Sequence, residues 1–447
     1  MSDTVAGTMP AGAPPCALPG TPLAQAAKGL DSCVHCGFCL QACPTYVNLE
    51  DENDSPRGRL VLMRRLLDGD IALADEGVAQ HIDRCLGCRA CETACPSGVP
   101  YGELLEATRA TMAPVRGTPF VARVVLTVFR HHVLLRTALF GARVFRATGL
   151  PRLLARMLPK RLAFPMGMLA ATTPVALRVG KLERRELQPR ELVLRDVEPR
   201  EQRSSVTLLE GCVMSGLFAH VNSATEKALE VNGHRVCGTA GQRCCGALHA
   251  HAGDLEGARD LAKQNIAAFE RSDAEFVVVN AAGCGAMLKQ YGHLLHDEPA
   301  WAARAERLAA RTRDVSELLA STGPQSGTHE VPLRVTHDPP CHQMHAQRIV
   351  NPPLQLLRAV PGLDLIPLED ADQCCGSAGI YNLVEPDVSD AVLAPKLARI
   401  AESHAEVVAS GNPGCLMQIG AGLLLSGSDV KAVHPIELLA VSYGNNR

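Results

Sequence analysis

Four short apolar runs punctuate the second half of the chain. Val206–Leu209, Phe276–Val279, Leu333–Thr336 and Glu406–Ala409 are rich in aliphatic and β-branched side chains and read as β-strands. Each leads through a turn of Gly, Asn or Pro residues to a cysteine (Cys212, Cys284, Cys341 and Cys415) and then into a helical stretch. Leu255–Arg271 and Pro386–Glu402 carry the longest helical patterns of this half. Alternation of strand and helix predicts parallel α/β sheets, with the cysteines at the carboxyl ends of strands, where such sheets keep their ligand crevice. Towards the N-terminus the pattern changes: Leu60–Asp68, Val78–Asp83 and Tyr101–Met112 read as short helices. The predicted fold class is α+β overall: an N-terminal helical domain, a helical connector, then α/β domains.

The connector is set apart by charge. From Ala107 to Leu182 there is no Asp or Glu but 13 Arg and Lys, in a chain whose net charge is only −3. Arg116, Arg123 and Arg130 recur every seven positions, as do Arg136 and Arg143, giving a basic stripe beside Phe120, Val124, Val125, Val128 and Phe129. Such a helix docks on anionic lipid or an acidic partner, or its arginines are solvated and paired within the chain. The apolar run Leu162–Leu177 is interrupted by Pro165, Gly167 and Pro174, so a membrane-spanning helix is not expected. Net charge and motifs give no reason to expect a nucleic-acid partner.

The candidate chemistry lies in the cysteines. Cys33-x2-Cys36-x2-Cys39-x3-Cys43-Pro44 is repeated as Cys85-x2-Cys88-x2-Cys91-x3-Cys95-Pro96. This is the bacterial-ferredoxin spacing for two [4Fe–4S] clusters, in which the fourth Cys of each run ligates the other cluster. The expected ligand sets are Cys33, Cys36, Cys39 and Cys95 for the first cluster, and Cys85, Cys88, Cys91 and Cys43 for the second. Zinc ribbons space two C-x2-C pairs farther apart. A disulfide framework belongs to short secreted chains. Eighteen cysteines without an export signature point to a reducing, cytoplasmic compartment.

The α/β part is duplicated. Cys212 pairs with Cys341 at an offset of 129, Cys244-Cys245-Gly246 with Cys374-Cys375-Gly376 at 130, and Cys284 with Cys415 at 131. Each half therefore offers four thiols: Cys212, Cys244, Cys245 and Cys284; and Cys341, Cys374, Cys375 and Cys415. Adjacent cysteines suit a cluster better than one tetrahedral ion. Buried packing or a redox disulfide is the alternative. His249, His251, His337, His342 and His345 stand near these cysteines in sequence. The expected organisation is a flexible end over residues 1–23, a ferredoxin-type domain over 24–110, the connector over 111–200, and Cys-Cys-Gly domains over 205–325 and 330–447.

Cys33–Tyr46 (CVHCGFCLQACPTY), Asp54–Leu60 (DSPRGRL), Leu208–Cys212 (LLEGC), Cys244–Leu248 (CCGAL), Cys374–Leu383 (CCGSAGIYNL) and Pro413–Gln418 (PGCLMQ) resemble the iron–sulfur subunits of glycolate oxidase (glycolate dehydrogenase). The Cys-Cys-Gly halves also resemble those of heterodisulfide reductase and anaerobic glycerol-3-phosphate dehydrogenase subunits. The resemblance implies partner flavoprotein subunits that carry FAD and oxidise glycolate to glyoxylate. It also implies peripheral association with the cytoplasmic face of the membrane and a quinone or similar acceptor. Lactate, another 2-hydroxy acid or glycerol-3-phosphate is the alternative donor, and thiol–disulfide reduction at the Cys-Cys-Gly cysteines the alternative chemistry. The heterodisulfide-reductase type carries a fifth cysteine in a C-x2-C pair with the last one. Here those positions are Ala281 and Met287, or Asn412 and Gln418, so its five-thiol cluster is not expected.

Overall fold

The computed structural model describes residues 17–177, 180–181 and 203–444. The expected α+β organisation is the one found, with the parallel sheets confined to the second half. Part of the sequence expected as a flexible end is instead packed: the Ala17 amide bonds the Leu67 carbonyl, and Leu23 is fully buried. Residues 1–16 and 182–202 lie outside the described residues, the latter mostly within the expected connector.

The N-terminal domain wraps its cysteine loops around three helices, α1 (Pro56–Asp68), α2 (Glu76–Asp83) and α3 (Tyr101–Arg116). The Asp-Ser-Pro-Arg-Gly-Arg-Leu sequence starts α1: the Ser55 hydroxyl accepts the Gly58 N–H, and Pro56 occupies the first turn, where no N–H is needed. Leu60, Met63, Leu66 and Leu67 then face Ile82, Leu104 and Leu105 in one core.

The connector is four helices, α4 (Phe120–Arg130), α5 (His132–Ala147), α6 (Leu150–Met157) and α7 (Lys160–Ala171). The chain bends by 113° between α3 and α4, and no single helix among the described residues is long and apolar enough to cross a membrane. Twelve of the eighteen large apolar side chains exposed among the described residues lie between Val115 and Leu162, so this surface is apolar as well as basic. Arg116 and Arg130 pair with Asp83 and Asp260, and Lys160 and Arg161 with Asp390 and Asp387. Arg136, Arg143, Arg152 and Arg156 are exposed and make no ion pair with the described residues. Pairing within the chain thus accounts for part of the stripe.

The first α/β half contains β1 (Ser205–Leu208), α8 (Ala219–Val231), β2 (Arg235–Cys237), α9 (Leu255–Phe269), β3 (Phe276–Val279), α10 (Ala282–Lys289) and β4 (Thr312–Asp314). The second contains β5 (Arg334–His337), α11 (Asn351–Arg358), β6 (Asp364–Ile366), α12 (Pro386–Glu402), β7 (Val407–Ala409), α13 (Pro413–Leu425), β8 (Lys431–Val433) and α14 (Pro435–Ser442). The sheets have the same order, β2-β1-β3-β4 and β6-β5-β7-β8, with every pairing parallel. The halves share one hydrophobic core, which joins Val206 and Val277 to Val335 and Val407. They meet at the carboxyl ends of their central strands, where the Ala282 amide bonds the Gly411 carbonyl and His434 bonds the Asn280 carbonyl.

Candidate metal centres

The ferredoxin loops enclose two small cavities. Cys33, Cys36, Cys39 and Cys95 line one, and Cys43, Cys85 and Cys88 the other; Cys91 lines both. All eight side chains are free thiols.

The second ring is deeply buried, and polar donors surround its sulfurs. The Tyr101 hydroxyl lies 3.6 Å from the Cys85 sulfur and the Gly87 amide 3.5 Å from it; the Thr45 hydroxyl, 3.2 Å from Cys43, donates to the Asp54 carbonyl at 2.7 Å. Arg59, with its side chain wholly buried, reaches to 4.0 Å from the Cys43 sulfur. Its guanidinium also bonds Asp54, itself buried and held by Arg84. Burial opposes the Arg59 charge. The Asp54 carboxylate, and the negative charge Cys85 and Cys43 carry as thiolates, outweigh that cost and keep it charged. Four thiols around one space, with N–H and O–H groups directed at sulfur and a buried cation beside them, fit a thiolate-bound cluster, whose sulfurs carry negative charge. The Asp54–Arg59 pair is a functional feature that sequence reading missed, although both residues lie within the quoted Asp54–Leu60 motif.

In each α/β half the four thiols form a continuous chain. Cys212 donates to Cys244 at 3.7 Å, and contacts continue through Cys245 to Cys284. The second half repeats this from Cys341 through Cys374 and Cys375 to Cys415. Cys212 and Cys284 follow the adjacent strands β1 and β3, Cys341 and Cys415 follow β5 and β7, and each Cys-Cys pair comes in from the neighbouring edge strand. The glycine after each pair is required by geometry. Gly246 and Gly376 have φ of +89° and +84°, and a Cβ on Gly376 would stand 2.6 Å from the Ser389 carbonyl oxygen of α12.

The halves differ in electrostatics. Asp338 and Lys396 form an ion pair at 3.0 Å with both side chains almost completely buried. At the matching places in the first half stand Leu209 and Asn265; the latter bonds the Cys244 carbonyl and Tyr291 instead. Cys374, accepting S–H bonds from Cys341 and Cys375 and lying near Lys396, is held well below the ordinary thiol range. Its counterpart Cys244 is pushed up: the S–H bond it accepts from Cys212 favours its thiolate, but the bond it donates to Cys245 and burial outweigh that.

The second half also abuts the second ferredoxin ring. Leu86, Cys88 and Ala90 pack with Cys374, Tyr381, Val388 and Val392 in one apolar cluster. Burial, then the neighbouring Cys374, pushes the Cys88 thiol well up. Most of the nearby histidines dock one α/β half or the other on the N-terminal domain. His342 bonds the Gly87 carbonyl, His345 bonds Thr93 and the Asp372 carbonyl, and His251 bonds Glu106 of α3. His249 bonds the Leu126 carbonyl, and His337 is buried beside Lys396. Asn412, at one of the positions without a fifth cysteine, directs its amide to the Cys415 sulfur at 3.5 Å and accepts the Gly283 N–H.

A dicluster ferredoxin-type domain joined to twin cysteine-rich α/β domains defines an iron–sulfur protein of the oxidoreductase class. Residues 29–99 match the 4Fe-4S dicluster domain family, and residues 206–289 and 335–420 match the cysteine-rich domain family. The chain belongs to the family of glycolate oxidase iron–sulfur subunits. It is 37% identical over 429 residues to the probable glycolate oxidase iron-sulfur subunit of Bacillus subtilis, a match covering 93% of this chain and 94% of that one. It is 32% identical over 390 residues to the glycolate oxidase iron-sulfur subunit of Escherichia coli, covering 86% and 88%. It is also similar to lactate utilization protein A of Geobacillus kaustophilus, with 32% identity over 235 residues, 52% of this chain and 98% of that protein.

Proposed function

We propose that this chain carries electrons from a flavoprotein partner, which oxidises glycolate to glyoxylate, toward a quinone-type acceptor at the cytoplasmic face of the membrane. The observation that carries the reading is the pair of four-thiol rings meeting at Cys91, in a chain aligned along 93% of its length with a probable glycolate oxidase subunit. Cys33, Cys36, Cys39 and Cys95 hold one [4Fe–4S] cluster, and Cys85, Cys88, Cys91 and Cys43 the other. Once bound, such clusters supply one-electron transfer. The protein's part is to exclude water from the second ring and to set Arg59 and Tyr101 against its sulfurs. Cys341 and Cys374 then stand next in line as a further cluster or redox site. The sequence contains no Gly-x-Gly-x-x-Gly fingerprint, so flavin binding and hydride chemistry fall to the partner. The exposed apolar and arginine-bearing surface of α4–α6 supports peripheral docking on an anionic bilayer.

Co-purification with its partners followed by substrate-dependent dye reduction tests the reading. Glycolate is expected to reduce the dye; reduction by lactate alone would transfer the assignment to lactate. That second reading is favoured by the match covering 98% of a lactate utilization protein. Iron analysis with EPR is expected to find about eight irons in the two rings. Additional iron that disappears in Cys374→Ser/Cys375→Ser would locate a further cluster in the second half.

A further inference from the structure

A cavity of about 310 Å³ opens where all four parts of the chain meet. Cys85 and Leu86 of the second ring form one wall, Arg109 and Ala113 of α3 another, and Leu248 and Tyr381 of the two α/β halves close it. The α3–α4 bend, Gly117 to Pro119, forms part of the lining. This is the size of a small-molecule site, and junctions between domains are where such sites concentrate.

The chemistry of the lining narrows the ligand. A small 2-hydroxy acid would need a free cation for its carboxylate. Arg109 is instead committed to the Ile82, Asp83, Cys85 and His251 carbonyls, and Arg116 to Asp83. His251, a further lining residue, is held by Glu106, and what remains is apolar side chains with Thr118, Tyr381 and Glu385 among the polar groups. An uncharged flat ring with hydrogen-bonding oxygens suits it. The bend lies between exposed apolar side chains: Val115 and Phe120, on either side of it, are exposed by 54% and 77%.

We propose that this cavity is the acceptor site, taking the ring of a lipid-soluble quinone that enters from the bilayer past the α3–α4 bend. The proposal rests on the electron-carrying function above and adds the place of exit. A quinone here takes up two electrons, one at a time, on the side of Cys85, and two protons from solvent, leaving as the hydroquinone. Glu385 stands in the lining, and burial raises its carboxyl above the usual range.

The test uses the anaerobically purified full chain and a ubiquinone analogue with a decyl tail. Ala113→Phe and Thr118→Trp fill the cavity from two sides, and iron content and EPR of each variant check that the rings are intact. Equilibrium dialysis is expected to show binding to the wild type and a loss of at least about tenfold in affinity, or 1.4 kcal/mol, in both variants. In stopped flow, cluster reoxidation by the analogue should slow in parallel. Wild-type affinity in both variants would overturn the proposal. So would a wild type whose reduced clusters react with ferricyanide but neither bind nor react with the quinone. Absence of iron from the wild type would sink the underlying electron-transfer reading, and the proposal with it, and is distinguished by the spectrum alone.

Discussion

The two Cys-Cys-Gly halves share strand order, thiol chain and the glycine that ends each Cys-Cys turn, but they differ in what surrounds the thiols. The first half docks on α3 through His251 and Glu106 and keeps a neutral amide, Asn265, behind its cysteines. The second packs Cys374 against the buried ring of Cys88 and places a buried Lys396–Asp338 pair behind it. Duplication preserved the scaffold, because parallel strand packing and the turn geometry tolerate little change. The groups behind the thiols differ, and the half whose cysteines pack on the second ferredoxin ring is the one that carries buried charges. A cation in a dry site favours thiolate or any other added negative charge. The second half is therefore the one whose thiols are placed to carry negative charge beside that ring.

The largest expected effect tests that charge difference directly. Lys396→Met leaves the Asp338 carboxylate buried with Ser410 as its remaining side-chain partner, and should cost about 3–5 kcal/mol. The matching change in the first half, Asn265→Leu, removes neutral hydrogen bonds and should cost about 1–3 kcal/mol. Lys396→Met/Asp338→Leu should recover much of the loss, since neither charge remains. Urea midpoints of the four proteins decide the matter. If Lys396→Met and Asn265→Leu cost the same, the ion pair does not distinguish the halves.

Much of this was readable before any coordinates, for definite physical reasons. Ligation imposes spacing, so the cysteine runs and the 129–131 offsets stand out in the sequence. Phe276–Val279 has four consecutive apolar residues and is a strand exactly where expected, and Pro386–Glu402 is one helix throughout. The edge strands β2 and β6 were not legible. Arg235–Cys237 and Asp364–Ile366 are three residues long and begin with a charge, too little for a period-2 pattern. Nor was the docking of the second half on Cys88, which depends on His342 meeting Gly87 across 255 residues of chain. Buried ion pairs leave no periodic trace. Asp338 sits in a turn, and Lys396 follows Pro395 inside a helix whose apolar pattern hides it.

Acid should reach the second half first. Burial, then the nearby Lys396, pushes His337 down to about 4, while the matching residue in the first half is Leu208. An unfolded histidine titrates near 6.5. Between pH 6.5 and 4 the unfolded state therefore binds a proton that the folded state refuses, and stability falls as pH falls through that window. The loss attributable to His337 approaches roughly 3 kcal/mol at its lower end. His434, also pushed down to about 4 by burial, adds to it; the matching helix cap in the first half is Asp314. Hydrogen exchange at pH 7, 5.5 and 4.5, read separately over β1–β4 and β5–β8, should show the second sheet losing protection earlier. His337→Leu should narrow the gap, and equal loss in both sheets would remove this part of the contrast.

The smallest effect concerns the seam between the second half and the ferredoxin loops. The Tyr381 hydroxyl donates to the Arg84 carbonyl at 2.7 Å, next to Cys85, and its ring lies in the apolar cluster with Cys88 and Cys374. Tyr381→Phe keeps the ring and deletes one hydrogen bond, so the expected cost is about 1 kcal/mol. The informative reading is where that cost falls. If the second half and the second ring behave as one cooperative unit, exchange should rise together around residues 84–91 and 374–392. Arg109, anchoring the same loop through the Cys85 carbonyl from α3, should keep the first half unaffected. Exchange confined to Tyr381 and its immediate neighbours would mean that the seam is a contact between independently stable parts. Proximity of Cys88 to Cys374 would then owe nothing to shared folding.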